Sequence, residues 1–230
     1  MNRTTMNRLL ILSFGMIAML SSCGTDEYMN AAKLAAEAVG AKTYEVSSEH
    51  STSSDPKKTI KLTLHNPELI SKEYSSETII STSALIFYKN LAATDLKDNP
   101  AIAIELLRDG KTENKIYYND ELKIADDATS RVADFLSWNP AEGVGGISSL
   151  VDNEYIPDSA LTIFGERMMN VEKQSGKIIK TMILGFKKET VTDQNIPVLA
   201  ILASAQRENL REMFTFYVST KNGRIISVSV

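Results

Sequence analysis

Apolar and polar positions along the chain alternate between helical and extended periods. Ala31, Leu34, Ala35, Ala38 and Val39 recur at helical spacing behind Thr25 as cap, and Gly40 stops the run, which predicts a helix over Asp26–Val39. Two extended segments follow at 44–51 and 59–64. In the second, Ile60, Leu62 and Leu64 alternate with Lys61 and Thr63, as in a half-buried strand. The polar stretch 51–58, with Asp55-Pro56, reads as their hairpin loop. Asn66-Pro67-Glu68 is a cap followed by proline at the first helical position, opening a helix whose apolar positions 70, 74, 80, 84, 87, 88 and 91 mostly share one face. An apolar run at 101–107, a turn at Asp109-Gly110 and a return at 115–119 complete a mainly antiparallel α+β pattern up to about residue 126.

In the second half, Asp127 reads as the cap of a short helix with Ala128, Val132, Phe135 and Leu136 on one stripe. Asn139 to Gly146 breaks it, and a short helical turn follows near 147–151. Pro157-Asp158 opens a longer helix carrying Leu161, Phe164, Met168 and Val171, which Gly176 ends. The period then switches to strands at 177–187, 198–206, 212–220 and 225–230, with Asn222-Gly223 as a hairpin turn between the last two. The expected class is α+β in two small domains with mainly antiparallel sheets, 23–126 and 127–230, the second a helix plus a four-stranded curved meander.

Residues 1–22 have a different character. Arg3 and Arg8 precede the charge-free apolar stretch 9–20, which is too short to span a bilayer and suits a signal-peptide core. The only cysteine follows, in Leu20-Ser21-Ser22-Cys23, which resembles the lipobox of bacterial lipoproteins. That resemblance implies removal of residues 1–22 and acylation of Cys23, with palmitate-like chains holding the protein to membrane lipid. Gly24 stands where an aspartate would resemble an inner-membrane retention signal, which favours the outer membrane of a Gram-negative bacterium. Asp26 and Glu27 resemble the acidic surface-export signal of lipoproteins in some Gram-negative gut bacteria; they equally suit the start of a helix, so periplasm-facing and surface-exposed locations both stay open.

The order of elements over 128–230 is similar to the cystatin-like cone fold of nuclear-transport-factor-like and ketosteroid-isomerase-like domains. The likeness rests on the short helix, the longer helix ending Gln174-Ser175-Gly176-Lys177, and the closing Asn222-Gly223-Arg224-Ile225 turn. It implies a bent sheet around the long helix, with room for a pocket at its wide end.

Composition narrows the chemistry. With 25 basic and 29 acidic residues the net charge is −4, and loss of Arg3 and Arg8 with the leader makes it two units more negative, so nothing points to nucleic acid. One cysteine and two histidines leave no material for a disulfide framework or a His/Cys-rich metal site. His50 and His65 both lie in the first half, so a histidine-activated nucleophile is excluded from the second. Gly143-Val144-Gly145-Gly146 lacks phosphate-loop spacing and reads as linker. Ser54-Asp55-Pro56-Lys57 matches S-x-x-K only by coincidence in a polar loop, and Asp126-Asp127 reads as capping. A ketosteroid-isomerase-like site would draw on Asp152, Asp158, Tyr155 and Tyr217. Phe214 with Phe216, and Met182 with Leu184 and Phe186, form same-face stripes that would be either core beneath Phe164 and Met168 or the lining of an apolar pocket. Trp138 is either a recognition aromatic or a pin at the joint between the halves. The expected function is a lipid-anchored cell-envelope protein with a non-enzymatic binding or assembly role, without cofactor or metal. Small-molecule binding or catalysis in the cone is the alternative. Cys23 is the lipidation site, and Trp138, Tyr155, Phe164, Phe186, Phe214, Phe216 and Tyr217 are the candidate binding residues for a protein partner or a small apolar ligand.

Overall fold

The structure, a computed structural model, describes residues 26–50, 58–68, 74–191 and 195–230. Its elements run α1 (Asp26–Val39), β1 (Thr43–His50), β2 (Lys58–His65), α2 (Ser76–Asn90), α3 (Ala93–Asp98), β3 (Ala101–Arg108), β4 (Lys111–Tyr118), α4 (Asn119–Leu136), two 3-10 turns (Pro140–Glu142 and Val144–Gly146), α5 (Asp158–Ser175), β5 (Lys180–Val191), β6 (Ile196–Gln206), β7 (Arg211–Ser219) and β8 (Ile225–Ser229). The strands form two four-stranded sheets, β1-β2-β3-β4 and β5-β6-β7-β8. The second is an antiparallel meander. The first is antiparallel except where β2 pairs with β3 in parallel, the link between them running through α2 and α3. This is the mainly antiparallel α+β architecture that the periodicities imply.

Alternation in β2 does what its pattern predicts: Ile60, Leu62 and Leu64 are fully buried and lie level with Ile102, Ile104 and Leu106 of β3. The opposite face is polar, with Lys61 between Glu105 (3.0 Å) and Glu49 (3.5 Å). Helix α1 ends at Val39 as expected but presents a different face. Ala31, Ala32, Ala35, Ala36 and Val39 are buried, whereas Leu34 and Ala38 are exposed. Alanines on the buried stripe let α1 lie close against α2, and a leucine there would hold the helices apart.

The helices join the two sheets. Helix α2 packs on α1, β3 and β4 on one side and on β5 on the other, and α4 touches β4, β5 and β6. Buried side chains from both halves, among them Leu62, Phe87, Tyr117, Phe135, Phe186 and Phe216, form one continuous cluster. The expected boundary at 126/127 falls inside α4. Asp127 is therefore not a cap: it sits in mid-helix and pairs with Lys123 at 3.0 Å, while Asp126 pairs with Lys89 of α2 at 2.6 Å. The stripe Ala128, Val132, Phe135 and Leu136 is buried as expected, and Leu122 and Ala125 extend it upstream.

Two expectations about the meander change. A bulge between Ile183 and Gly185 shifts the register of β5 on β6, so Phe186 shares its face with Ile183, opposite Ile201 and Ala203, and Met182 points to the other face. Helix α5 packs mainly against the two 3-10 turns, with only Leu161 and Gly165 buried, and it is α4 that lies beneath the strand aromatics. Among the described residues no helix is long and apolar enough to cross a membrane.

Candidate functional site

Helix α4 ends at Leu136 with Ser137 as its C-cap, and the chain leaves it through Trp138 and the Asn139-Pro140 turn. The indole Nε1 donates to the Gly143 carbonyl at 3.0 Å, which fixes the ring's orientation. The ring then lies over Gly165 of α5, where an added Cβ would come within 2.9 Å of Trp138 Cη2. Phe135 supports this joint from below, with ring centroids 6.2 Å from Trp138, 5.6 Å from Phe164 and 5.4 Å from Phe216. Trp138 thus pins α5 to the end of α4, and one side of its ring faces a groove.

That groove, about 470 Å³, runs between the end of α5 and the start of β5. Leu136, Trp138, Met168 and Ile178 line it together with Lys177, Lys180 and Arg207 and with the carboxylate of Glu172. Arg207 comes from the β6–β7 hairpin and is only 1% exposed. Its Nε donates to Glu212 Oε2 at 2.7 Å and its Nη1 to the Gly176 carbonyl at 3.0 Å, tying the hairpin to the end of α5. Its Nη2 meets no oxygen among the described residues, only Met168 Sδ at 4.0 Å. A guanidinium carries five N–H donors in a planar fork, so this buried cation keeps donors for an acceptor entering the groove. Nothing in Gln206-Arg207-Glu208 marks this in the sequence, since an arginine in a polar hairpin turn reads as solvated.

The other candidates disperse. Phe186, Phe214 and Phe216 are core residues, Phe186 packing against Tyr117 with centroids 5.5 Å apart. Phe164 is half-buried against Phe135, not lining the groove. Tyr155 sits in the turn closed by its own N–H to the Asp152 carbonyl at 3.0 Å, and Tyr217 lies level with Ala200 on the face of β7 away from Phe216. Asp152 accepts from the Glu154 N–H at 3.2 Å and from Asn222 Nδ2 at 2.8 Å, fastening the turn to the β7–β8 hairpin. Asp158 accepts from Ser148 Oγ at 3.3 Å. Of the expected set, only Trp138 reaches the groove. Among the described residues no group of three or more His, Cys, Asp and Glu could hold a metal ion. His65 closes β2 beside Glu45, at 3.4 Å. Cys23 and the Ser54-Asp55-Pro56-Lys57 loop lie outside the described residues. No protein-family model, curated protein or solved structure matches the chain.

Proposed function

We propose that this chain is a lipid-anchored envelope protein of the bacterial outer membrane, acting there through non-enzymatic binding or assembly. The observation that carries the reading is Leu20-Ser21-Ser22-Cys23 placed directly after a positive n-region and a 12-residue apolar stretch. Asp26, already in helix α1, is three residues after Cys23 in the sequence, a reach of at most about 11 Å. Acyl chains on Cys23 would hold the folded body close to the bilayer, and two or more chains give stable anchoring where one is marginal. The test is Cys23→Ala in a Gram-negative host, with growth on a labelled fatty acid. Loss of label and release of the protein from the membrane fraction support the anchor. Retention in that fraction without label contradicts it.

A second reading, binding of a small molecule, is favoured by the Trp138–Arg207 groove. Its size is within the range of ligand sites, about 300–1,000 Å³, and it pairs apolar walls with a buried cation. The ligand class is a compact apolar body bearing a carboxylate or another strong acceptor. Trp138 is the only tryptophan, so its fluorescence reports occupancy without a label. Saturable quenching by an aromatic carboxylic acid, absent in the folded double variant Arg207→Met with Glu212→Leu, supports this reading, and an unchanged spectrum across such acids removes it.

A further inference from the structure

We infer that strand β4 is a self-pairing edge, and that two copies of this chain join through it in antiparallel register centred on Asn114. The first sheet ends at β4. Asn119 N–H donates to the Pro100 carbonyl at 3.0 Å, one step beyond the Ala101–Tyr118 pair, which sets the phase of the ladder. In that phase Lys111, Glu113, Lys115 and Tyr117 turn their peptide groups toward β3, and Thr112, Asn114 and Ile116 turn theirs outward. Those three outward residues have no backbone partner among the described residues. Ile116, on the outer face of the same edge, is 57% exposed. An eight-residue strand with unpaired peptide groups beside an exposed isoleucine is a template for another strand.

The charges select the occupant. With Asn114 opposite its own copy, Thr112 of each strand pairs with Ile116 of the other, and each such pair exchanges both N–H···O bonds. Glu113 then stands opposite Lys115 of the second copy, twice, at the non-hydrogen-bonded positions where side chains lie closest. Centring on Ile116 would put Lys115 against Tyr117 and leave Glu113 without a cation. Centring on Thr112 would run the pairing into the Asp109-Gly110 turn, where both residues have positive φ (50° and 75°). Within the chain, Glu113 Oε1 accepts from Ser76 Oγ at 2.7 Å, and Lys115 Nζ lies 3.5 Å from Glu77 and over the Tyr117 ring. Each still has capacity, a second carboxylate oxygen and further ammonium protons, for a partner across the edge.

Disulfide trapping in the full chain tests this in isolated membranes under mild oxidation, with the unsubstituted chain as control for Cys23. Asn114→Cys places two thiols on residues about 5.5 Å apart at Cα, within disulfide range, and yields a homodimer identified by mass. Ile116→Cys, whose copies are four residues out of register, does not. In the Asn114→Cys background, Glu113→Lys lowers the crosslinked fraction roughly fivefold or more by opposing like charges at two positions. Adding Lys115→Glu to it restores the dimer, as does co-expressing the two single charge variants. Thermal melting checks that each variant folds. Equal crosslinking at positions 114 and 116, an adduct of Asn114→Cys with a different protein, or a charge-swapped double no better than Glu113→Lys would each overturn the proposal.

Discussion

The two sheets have the same number of strands, but the middle of the meander's edge strand β5 is covered by a helix where β4 of the first sheet is not. At the meander's outer strand, β5, helix α2 supplies side-chain partners for the backbone. Ser81 Oγ accepts the Phe186 N–H at 3.1 Å and donates to the Thr78 carbonyl at 3.0 Å, and Thr82 donates to the Leu184 carbonyl. The bulge at Leu184 turns these groups toward the helix, and Gly185 lets the helix approach. At the other end β8 is only five residues long, and the strand-like contact at Val151 covers its start. Strand β4 of the first sheet has none of these devices along its outward groups. Sealing an edge from within keeps a sheet from recruiting strands, and an edge left open in the same molecule is available for recruitment.

Breaking the seals should cost far more than altering the open edge. The largest effect is expected of Arg207→Met, which cuts the meander's hairpin from α5 and leaves Glu212 buried without its cation. Loss of one partner of such a pair costs about 3–5 kcal/mol, or a Tm drop of roughly 10 °C at this chain length, and Glu212→Leu in addition should recover much of it. Next is Gly185→Ala. The residue has φ +147°, and a Cβ there would lie 2.6 Å from Ser81 Oγ and 2.9 Å from the Thr78 carbonyl. Overpacking and backbone strain together amount to about 3 kcal/mol. Gly110→Ala in the turn before β4 makes the sharper contrast: φ is +75° but nothing lies within 4 Å, so only the backbone strain of about 1 kcal/mol is expected. Equal melting temperatures for the two variants would dissolve the comparison.

Ser81→Ala should cost about 1–2 kcal/mol, because it strands the buried Phe186 N–H. The smallest effect is expected of Tyr117→Phe, and in the stabilising direction. Tyr117 is fully buried between the sheets with its hydroxyl unpartnered, so removing that oxygen should gain up to about 1 kcal/mol. Burial, and then the Glu121 and Glu77 carboxylates, raise its pKa above the ordinary tyrosine value. The folded chain therefore keeps this proton where the unfolded chain releases it, and stability falls as pH rises above about 10. In Tyr117→Phe that alkaline loss should be smaller, as melting between about pH 9 and 11 would register.

Much of the fold was legible because local patterns decided it. Ile60-Leu62-Leu64, the Asn222-Gly223 turn and Gly176 behind α5 each report a period or a backbone conformation that neighbours in sequence enforce. The start of α4 was hidden because β4 passes directly into it: Tyr118 occupies the cap position without a side-chain cap bond, so no Ser, Thr, Asp or Asn boundary precedes the helix. The role of α2 was hidden because it works through Ser81 and Thr82, and hydroxyls that serve a strand a hundred residues away look like a solvated surface. The groove was half legible. Trp138 stood out by type, whereas Arg207 became informative only once the hairpin folded it against Gly176 and Met168.

Residue-resolved amide exchange on the full chain, alone and as Glu113→Lys, tests the contrast between the edges most directly. A slowly exchanging Phe186 amide is expected in both proteins. Amides of Thr112, Asn114 and Ile116 should be protected in the parent chain and exchange freely in Glu113→Lys. A rapidly exchanging Phe186 amide, or β4 amides equally protected in both proteins, would contradict it.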